Sequence, residues 1–506
     1  MPYPEHKNAA TAYDTVVDLF NRMIDYEKAD RKRFARETKE EDLERFRNFL
    51  ASLGSPQFHA PAFHVAGTKG KGSTCALLSQ ILTETGKKVG LYTSPHLDSY
   101  CERIRVNGEL IPESHFAKEI LELANNAGLA QTSSHYGFRT VFELLTACAF
   151  VYFKKSNIDV AVIETGLGGR LDATNVFGQA SPLLPRSNFQ LIDVITSVGF
   201  DHMETLGSTI TEIAQEKAGI IQPGGIVVVA KQKKASADEV HRIVTLQSAK
   251  KGTRATLFAE DVVELESARV LPPSPTFPSG GMACEARLTE QGQLLFADTS
   301  LAKALRGGSH IECALPGLHQ VENLRTVLTS LLAAEHYLGI RVPIEAIRRG
   351  ARNVRWGGRF EVLSATPPII VDGAHCELST AAMVETYRML WPERPVRIVA
   401  GFLRDKSLER ILHALGKDLA IQRVYCCQPS SPRALAASEV AESFRSQLRV
   451  AAEDFDTVED ALARAWRELN PEHESLICFG SMYLVSPFRR ALSSLALNQE
   501  RDGTQR

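Results

Sequence analysis

The sequence has no apolar run close to the roughly 20 residues that a membrane-spanning helix needs. Its opening, Met1-Pro2-Tyr3-Pro4-Glu5-His6, lacks the basic-then-apolar order of a secretory signal. No charge sign dominates: 58 Lys and Arg against 60 Asp and Glu leave a formal net charge of −2. That balance argues against a general nucleic-acid or membrane-surface binder. Cys-x-x-Cys pairs are missing as well. The nine cysteines are odd in number and scattered, and two of them, Cys426 and Cys427, are adjacent. Such a set suits neither a zinc site nor a disulfide framework, and fits buried thiols in a reducing cytoplasm. No internal repeat is visible. What remains is 44% hydrophobic and 23% charged, the balance of a globular protein. A chain of 506 residues exceeds one ordinary core, so two domains are expected.

Strand and helix signals alternate after a charged N-terminal stretch (to about Gly54) that reads as helical, with a solvated run from Asp25 to Arg47. Buried-type strands are expected at Val89–Thr93, Ile158–Glu164, Leu191–Val198 and Gly225–Ala230, and helices at Glu113–Ala124 and Thr140–Phe153. Continuous β-branched runs between helical patterns predict a parallel sheet covered on both faces, hence an α/β fold. From Lys251 to Ser309 the pattern loosens around the Pro-rich segment Leu271–Gly281. A helix is expected over Leu318–Leu338, then a turn at Arg355–Phe360. Further strands are expected at Pro368–Val371, Val396–Ala400, Arg423–Cys427 and Leu476–Phe479. The expected division is an ATP-binding parallel-sheet domain over 1–355 and a smaller Rossmann-like α/β domain over 356–506.

The strongest chemical signal is Gly67-Thr68-Lys69-Gly70-Lys71-Gly72-Ser73-Thr74, between the apolar run ending at Ala66 and a helix-like segment from Cys75. Glycines let backbone N–H groups approach phosphate oxygens, and the following helix N-terminus favours negative charge. Lys71 can meet the outer phosphates as a point charge, and Ser73 or Thr74 offers a hydroxyl to Mg²⁺. The usual phosphate loop reads Gly-Lys-Ser/Thr, whereas Gly72 here separates Lys71 from Ser73. Glu164 and His202 each follow a buried-type strand, where ligands of parallel sheets gather. A capping carboxylate and a structural histidine are the alternative readings. Lys217 closes a helix, a common place for a cation. Asn323, Arg359, Asp372 and His375 are polar groups able to meet an adenine, a phosphate or a ribose.

Taken in order, the glycine loop, Thr93-Ser94-Pro95-His96, Glu164-Thr165-Gly166-Leu167-Gly168-Gly169, Asp201-His202, Glu216-Lys217-Ala218-Gly219, His319-Gln320-x-x-Asn323, Gly358-Arg359 and Asp372-Gly373-Ala374-His375 resemble the folylpolyglutamate synthase/dihydrofolate synthase family. That family belongs to the Mur-type ligases, and the resemblance runs from about residue 60 to 485. It implies ATP-dependent addition of L-glutamate to a dihydropteroate or folate carboxylate through an acyl phosphate. It places the triphosphate on Gly67–Thr74, with one Mg²⁺ at Ser73, Ser94 and Glu164 and a second at His202. Lys217 matches a position that is carbamylated, so that a cation becomes an anionic oxygen ligand. Lys71, Lys217 and His202 are thereby the candidate catalytic residues. Asn323, Arg359 and Asp372 match ATP-contacting positions and His375 a residue near the phosphates, so closure of the two domains is implied. Leu171, Asp172 and Ala173 resemble a pterin-contacting loop of bacterial bifunctional members, and Thr140, Val141, Phe142 and Glu143 a second pterin-side segment. Phe142 read by itself is more commonly a core residue, as aromatics inside apolar helices are. Cys376 stands where the family commonly has asparagine. The implied partners are ATP, L-glutamate and a dihydropteroate or reduced folate, with no nucleic acid or membrane, in a cytoplasmic monomer. A monofunctional folylpolyglutamate synthase, a cell-wall Mur-type ligase and an inactive nucleotide-binding relative are the other readings.

Overall fold

A computed structural model describes residues 9–23, 25, 40–128, 140–178, 190–416 and 419–503. Most of the charged run from Asp25 to Arg47, from 26 to 39, lies outside the described residues. The chain divides into two compact units. The first comprises Met1–Glu266, Glu285–Ile311 and Glu322–Ala351, and the second Ser267–Cys284, Glu312–Val321 and Arg352–Arg506.

The first unit is built on eight strands: β1 Ala62–Ala66, β2 Val89–Tyr92, β3 Ile104–Val106, β4 Glu109–Leu110, β5 Val160–Glu164, β6 Leu191–Ile195, β7 Ile226–Val229 and β8 Ala255–Phe258. Their order across the sheet is β4-β3-β2-β5-β1-β6-β7-β8. From β2 to β8 all pairings are parallel, and only β3 and β4 run antiparallel at the edge. Every residue of β1, β2, β5, β6 and β7 is buried, as expected for strands covered on both faces. Because β1, β2, β5 and β6 run parallel, the connections after them all emerge at one edge. That carboxyl edge is where open parallel sheets bind ligands.

Local signals fix the helices that border this edge. The helix Val141–Lys155 begins in a reciprocal box, Glu143 N–H donating to Thr140 Oγ1 and Thr140 N–H to Glu143 Oε2. Thr209 and Glu212 form the same box ahead of Ile210–Ala218.

Three strands, β9 Val263–Leu271, β10 Gly281–Leu288 and β11 Ser309–Cys313, form a small sheet in the order β11-β10-β9. This is more regular than the loosened pattern of 251–309 suggests. Most of β9 is exposed, so its strand character leaves no apolar alternation to read.

The second unit carries β12 Glu361–Ala365, β13 Pro368–Asp372, β14 Val396–Ala400, β15 Ile421–Cys427, β16 Ala452–Phe455 and β17 Ser475–Phe479. The order is β12-β13-β17-β14-β15-β16, parallel except at the β12–β13 hairpin. Eight cysteines are buried, Cys376 is half-buried, and all nine are free thiols. Among the described residues no helix is long and apolar enough to cross a membrane.

Candidate active site

At the end of β1 the backbone turns through Gly67, whose φ is 150°. A Cβ there would lie 1.8 Å from Thr196 Oγ1, so only glycine fits against β6. The loop then rests on the residues after β6. Thr68 and Lys69 N–H donate to the Ser197 carbonyl at 2.8 and 3.2 Å, and Thr68 Oγ1 donates to the Gly199 carbonyl at 3.1 Å. Gly70, with φ 91°, caps the helix Lys71–Thr83. The space a Gly70 side chain would need is taken by Asn323 Oδ1, 2.4 Å from that position. Asn323 is thus brought to the loop from more than 250 positions along the chain. The N–H groups of Lys71, Gly72 and Ser73 precede the first intrahelical bond, from Thr74 N–H to Gly70 O at 2.9 Å, and a helix start of this kind suits phosphate oxygens.

Two lysines converge on one loop carbonyl. Lys71 Nζ donates to Gly67 O at 3.2 Å, and Lys217 Nζ, from the end of Ile210–Ala218, donates to the same atom at 2.9 Å. Lys217 is buried. Burial first, and the Lys71 charge second, push its amine down to about 7. Glu164, the last residue of β5, pairs in register with Val65 of β1, two positions before Gly67. Its carboxylate is buried, and Oε2 accepts from Ser94 N–H at 3.1 Å. The charges of Glu164 and Lys71 both act on the buried Cys75 thiol, which burial holds well above its usual range. Ser73 and Thr74 are buried in the first turn of the same helix. Lys71, Ser73, Ser94, Glu164 and Lys217 therefore share the carboxyl edge of β1, β2 and β5.

His202 reaches the edge after β6 in a left-handed conformation, with Nε2 3.8 Å from Asp201 Oδ1. Asp201 matters more than its place in a sequence motif suggests. Its Oδ2 accepts from Lys69 Nζ at 2.9 Å, tying the middle of the phosphate loop to the end of β6. Acidic residues after a strand are common, and nothing in the sequence pairs this one with Lys69.

On the other side of β5, the Phe142 ring lies over Gly166, where a Cβ would meet Cζ at 2.6 Å, and near the Tyr92 ring at 5.9 Å between centroids. Phe142 is half-buried, whereas Val141 is buried and Thr140 and Glu143 cap their helix. The turn after Gly166 closes around Asp172. Its Oδ2 accepts from Leu167 N–H at 2.9 Å, and its Oδ1 from Thr174 Oγ1 at 2.6 Å and Thr174 N–H at 3.0 Å. Leu171 is half-buried and Ala173 buried in that turn, and Arg170 Nε donates to Glu216 at 2.9 Å.

In the second unit, Asp372 ends β13 with both oxygens engaged, Oδ2 by Phe360 N–H at 2.7 Å and Oδ1 by Ala374 N–H at 2.6 Å. The carboxylate fixes the turn that carries Arg359, whose Nη1 donates to Gly358 O at 3.1 Å. His375 Nδ1 donates to Gly373 O at 2.7 Å. Cys376 precedes the helix Glu377–Leu390, and Ser379 Oγ accepts from the N–H groups of His375 and Cys376 at 3.1 and 3.2 Å.

The glutamate ligase domain of the Mur ligases matches residues 358–482. Across the longer span, the dihydrofolate synthase/folylpolyglutamate synthase of Bacillus subtilis is 32% identical over 455 residues, covering 89% of this chain and 94% of that protein. The chain belongs to the dihydrofolate synthase/folylpolyglutamate synthase family. The Escherichia coli member is 30% identical over 446 residues, covering 88% of this chain and 89% of its own length. Solved structures of family members agree with the fold. Mycobacterium tuberculosis folylpolyglutamate synthase, complexed with ADP and AMPPCP, matches with TM-score 0.75 at 25% identity, over 96% of this chain and 99% of that one. Escherichia coli FolC in complex with DHPP and ADP matches with TM-score 0.72 at 26% identity, over 98% of this chain and all of that one.

Proposed function

We propose that this protein joins L-glutamate to the carboxylate of dihydropteroate and of reduced folates, with cleavage of ATP to ADP and phosphate. The observation that carries this reading is the convergence of Lys71, Lys217, Glu164 and the glycine loop at one sheet edge, in a chain of this family.

A carboxylate does not acylate an amine, so one of its oxygens must first become part of a leaving group. Its oxygen attacks the γ-phosphorus, the bond to ADP breaks, and an acyl phosphate forms. The glutamate amine then attacks the acyl carbon, gives up a proton, and inorganic phosphate departs. In this reading Gly67–Thr74 holds the triphosphate, and Lys71 offsets charge gathering on the transferring group. Asn323 borders the nucleotide through its place on Gly70, and Arg359, Asp372 and His375 are carried as nucleotide contacts. Leu171, Asp172, Ala173 and Phe142 meet the acceptor. Thr140 and Glu143 act on it by starting the helix that presents Phe142.

The residues present fit a magnesium ion. Glu164 is a buried carboxylate beside Ser94, and the Ser73 hydroxyl lies in the first turn of the loop helix. Among the described residues no three of His, Cys, Asp and Glu are grouped as a ready-made metal set. That donor pattern suits Mg²⁺, which takes one or two carboxylates and completes its shell with waters and phosphate oxygens. Ser73, Ser94 and Glu164 would hold one ion, and His202 with carbamylated Lys217 a second. Bound Mg²⁺ supplies charge neutralisation at the phosphates. An amine pushed down to about 7 is partly neutral near neutral pH, the form that combines with CO₂.

The test is to incubate the protein with MgATP and L-glutamate, offering dihydropteroate or tetrahydrofolate, and to weigh the products. A single added glutamate on both acceptors is the expected result. Product from tetrahydrofolate alone assigns a monofunctional folylpolyglutamate synthase, and product from neither overturns the reading.

A further inference from the structure

β1 and β6 each bury one polar residue within an otherwise apolar strand: His64 in Ala-Phe-His-Val-Ala and Asp193 in Leu-Ile-Asp-Val-Ile. The two are partners in register, and both side chains are wholly buried. An uncompensated polar group in a sheet core is destabilising, so the pair calls for a reason. His64 Nδ1 and Asp193 Oδ1 face each other at 3.9 Å, and among the described residues neither atom makes a hydrogen bond. Their other polar atoms both lead to the turn after β5. His64 Nε2 donates to Thr174 Oγ1 at 2.8 Å, and that hydroxyl donates to Asp172 Oδ1. Asp193 Oδ2 accepts from Gln222 N–H at 3.1 Å, and Gln222 Nε2 donates to Asn175 Oδ1. Asn175 in turn donates to the carbonyls of Arg170 and Gly219 at 2.9 and 3.0 Å. Two successive residues of one turn, Thr174 and Asn175, are thus reached by two arms from one buried pair. Arg47 adds a third tether, Nη2 to Asn175 O at 2.8 Å.

We propose that His64 and Asp193 are positioning residues that hold the 167–175 turn, and Asp172 within it, in the conformation that meets the acceptor substrate. This rests on the reading of Leu171, Asp172 and Ala173 as acceptor contacts. His64 lies three residues before Gly67, so the strand that delivers the phosphate loop also anchors the acceptor loop. Burial favours the uncharged form of both groups, lowering the His64 ring to about 3 and raising the Asp193 carboxyl. The clamp is therefore built from uncharged hydrogen bonds, which an Asn at 193 can reproduce and a Leu cannot.

Four variants test it: Thr174→Val, Thr174→Ser, Asp193→Leu and Asp193→Asn. Thr174→Val keeps the shape and deletes the hydroxyl shared by His64 and Asp172. It is expected to raise KM for dihydropteroate about tenfold while KM for MgATP stays within about twofold. Asp193→Leu is expected to follow it, and Thr174→Ser and Asp193→Asn to stay near wild type. Should Asp193→Leu not fold, the two Thr174 variants decide. Hydrogen exchange of a peptide covering 166–178 gives a second readout that needs no turnover, and it should quicken in Thr174→Val. An equal rise in both KM values, or unchanged acceptor KM and exchange, overturns the proposal. Wild type that makes no product removes the acceptor reading, and unchanged exchange in Thr174→Val then removes the clamp separately.

Discussion

Lys217 concentrates the chemistry of the site in one atom. Its Nζ is buried, shares the Gly67 carbonyl with Lys71, and has its proton affinity lowered to about 7. Lys217→Ala is expected to lower kcat by at least about a hundredfold, the scale of losing a charge-stabilising group, with the far-UV spectrum unchanged. Equal turnover in wild type and variant would remove Lys217 from the mechanism. The buried His64–Asp193 pair makes a subtler prediction about pH. His64 is held at about 3 by burial, so between that pH and 6.5 the unfolded chain binds a proton there and the folded chain does not. Alone, that makes stability fall as pH drops through the window. Asp193 is pushed well above its usual range by burial, so above pH 3.8 the folded chain holds a proton that the unfolded chain has lost. Alone, that makes stability fall as pH rises. Where the two windows overlap, the slopes oppose each other. Asp193→Asn should expose the histidine slope, with stability lost in acid at about 1.4 kcal/mol per pH unit at most. His64→Gln should expose the opposite slope. Urea midpoints at pH 4.5 and 6 for both variants check this, and parallel profiles would refute it.

The glycine loop shows why an element can be legible while its supports are not. Strand, glycine run and helix follow each other in the sequence, and β1 and Lys71–Thr83 lie where that order predicts. The parallel strands were equally readable, because burial on both faces writes a continuous apolar run. Their buried polar members were not, since a lone His or Asp within such a run has no periodic partner in sequence. Nor were Thr196 and Asn323 readable as neighbours of Gly67 and Gly70, because register and helix packing bring them there. Thr140 and Glu143 carry the S/T-x-x-E pattern of a helix start, and the structure gives them that job. The contacts at the glycines predict distinct costs. At Gly70 an alanine must accept both φ 91° and the Asn323 amide. Gly70→Ala combined with Asn323→Ala removes the collision and leaves the backbone strain of about 1–2 kcal/mol. ADP binding by calorimetry is therefore expected to be weakened by Gly70→Ala, and to be weaker in the double variant than in Asn323→Ala alone, which carries the loss of the Asn323 side chain by itself. Equal binding by the double variant and Asn323→Ala would mean that the collision, rather than the left-handed backbone, makes glycine necessary.

At the scale of the whole molecule, the chain does not lay down its two units one after the other. The second unit takes Ser267–Cys284 and Glu312–Val321 as well as Arg352–Arg506. Those early segments are part of its structure. Ser279 Oγ accepts from Val362 N–H at 3.1 Å, capping the first residues of β12, and Arg355 Nη2 donates to Thr276 O at 3.2 Å. Gly280 packs against Leu390, and Gly317 packs so tightly on Thr386 that a Cβ would come within 2.4 Å of its hydroxyl. A sequence read from left to right shows 271–281 only as a Pro-rich loop or linker in a loosened pattern, because nothing local reveals a partner some 80 residues away. The match to the glutamate ligase domain likewise spans only 358–482. A fragment beginning at Arg352 would keep the β13–β17–β14–β15 core, with Ile370, Ile398, Val424 and Ile477 buried, and so retain most of its secondary structure. It would leave Val362 and the faces of Leu390 and Thr386 open to water. Each kcal/mol so lost lowers the melting point of a domain this size by about 2–4 °C. Residues 352–506 expressed alone are therefore expected to show a native-like circular dichroism spectrum and a melting transition several degrees below that of the full chain. Coincident transitions would mean that the early segments decorate the second unit without supporting it.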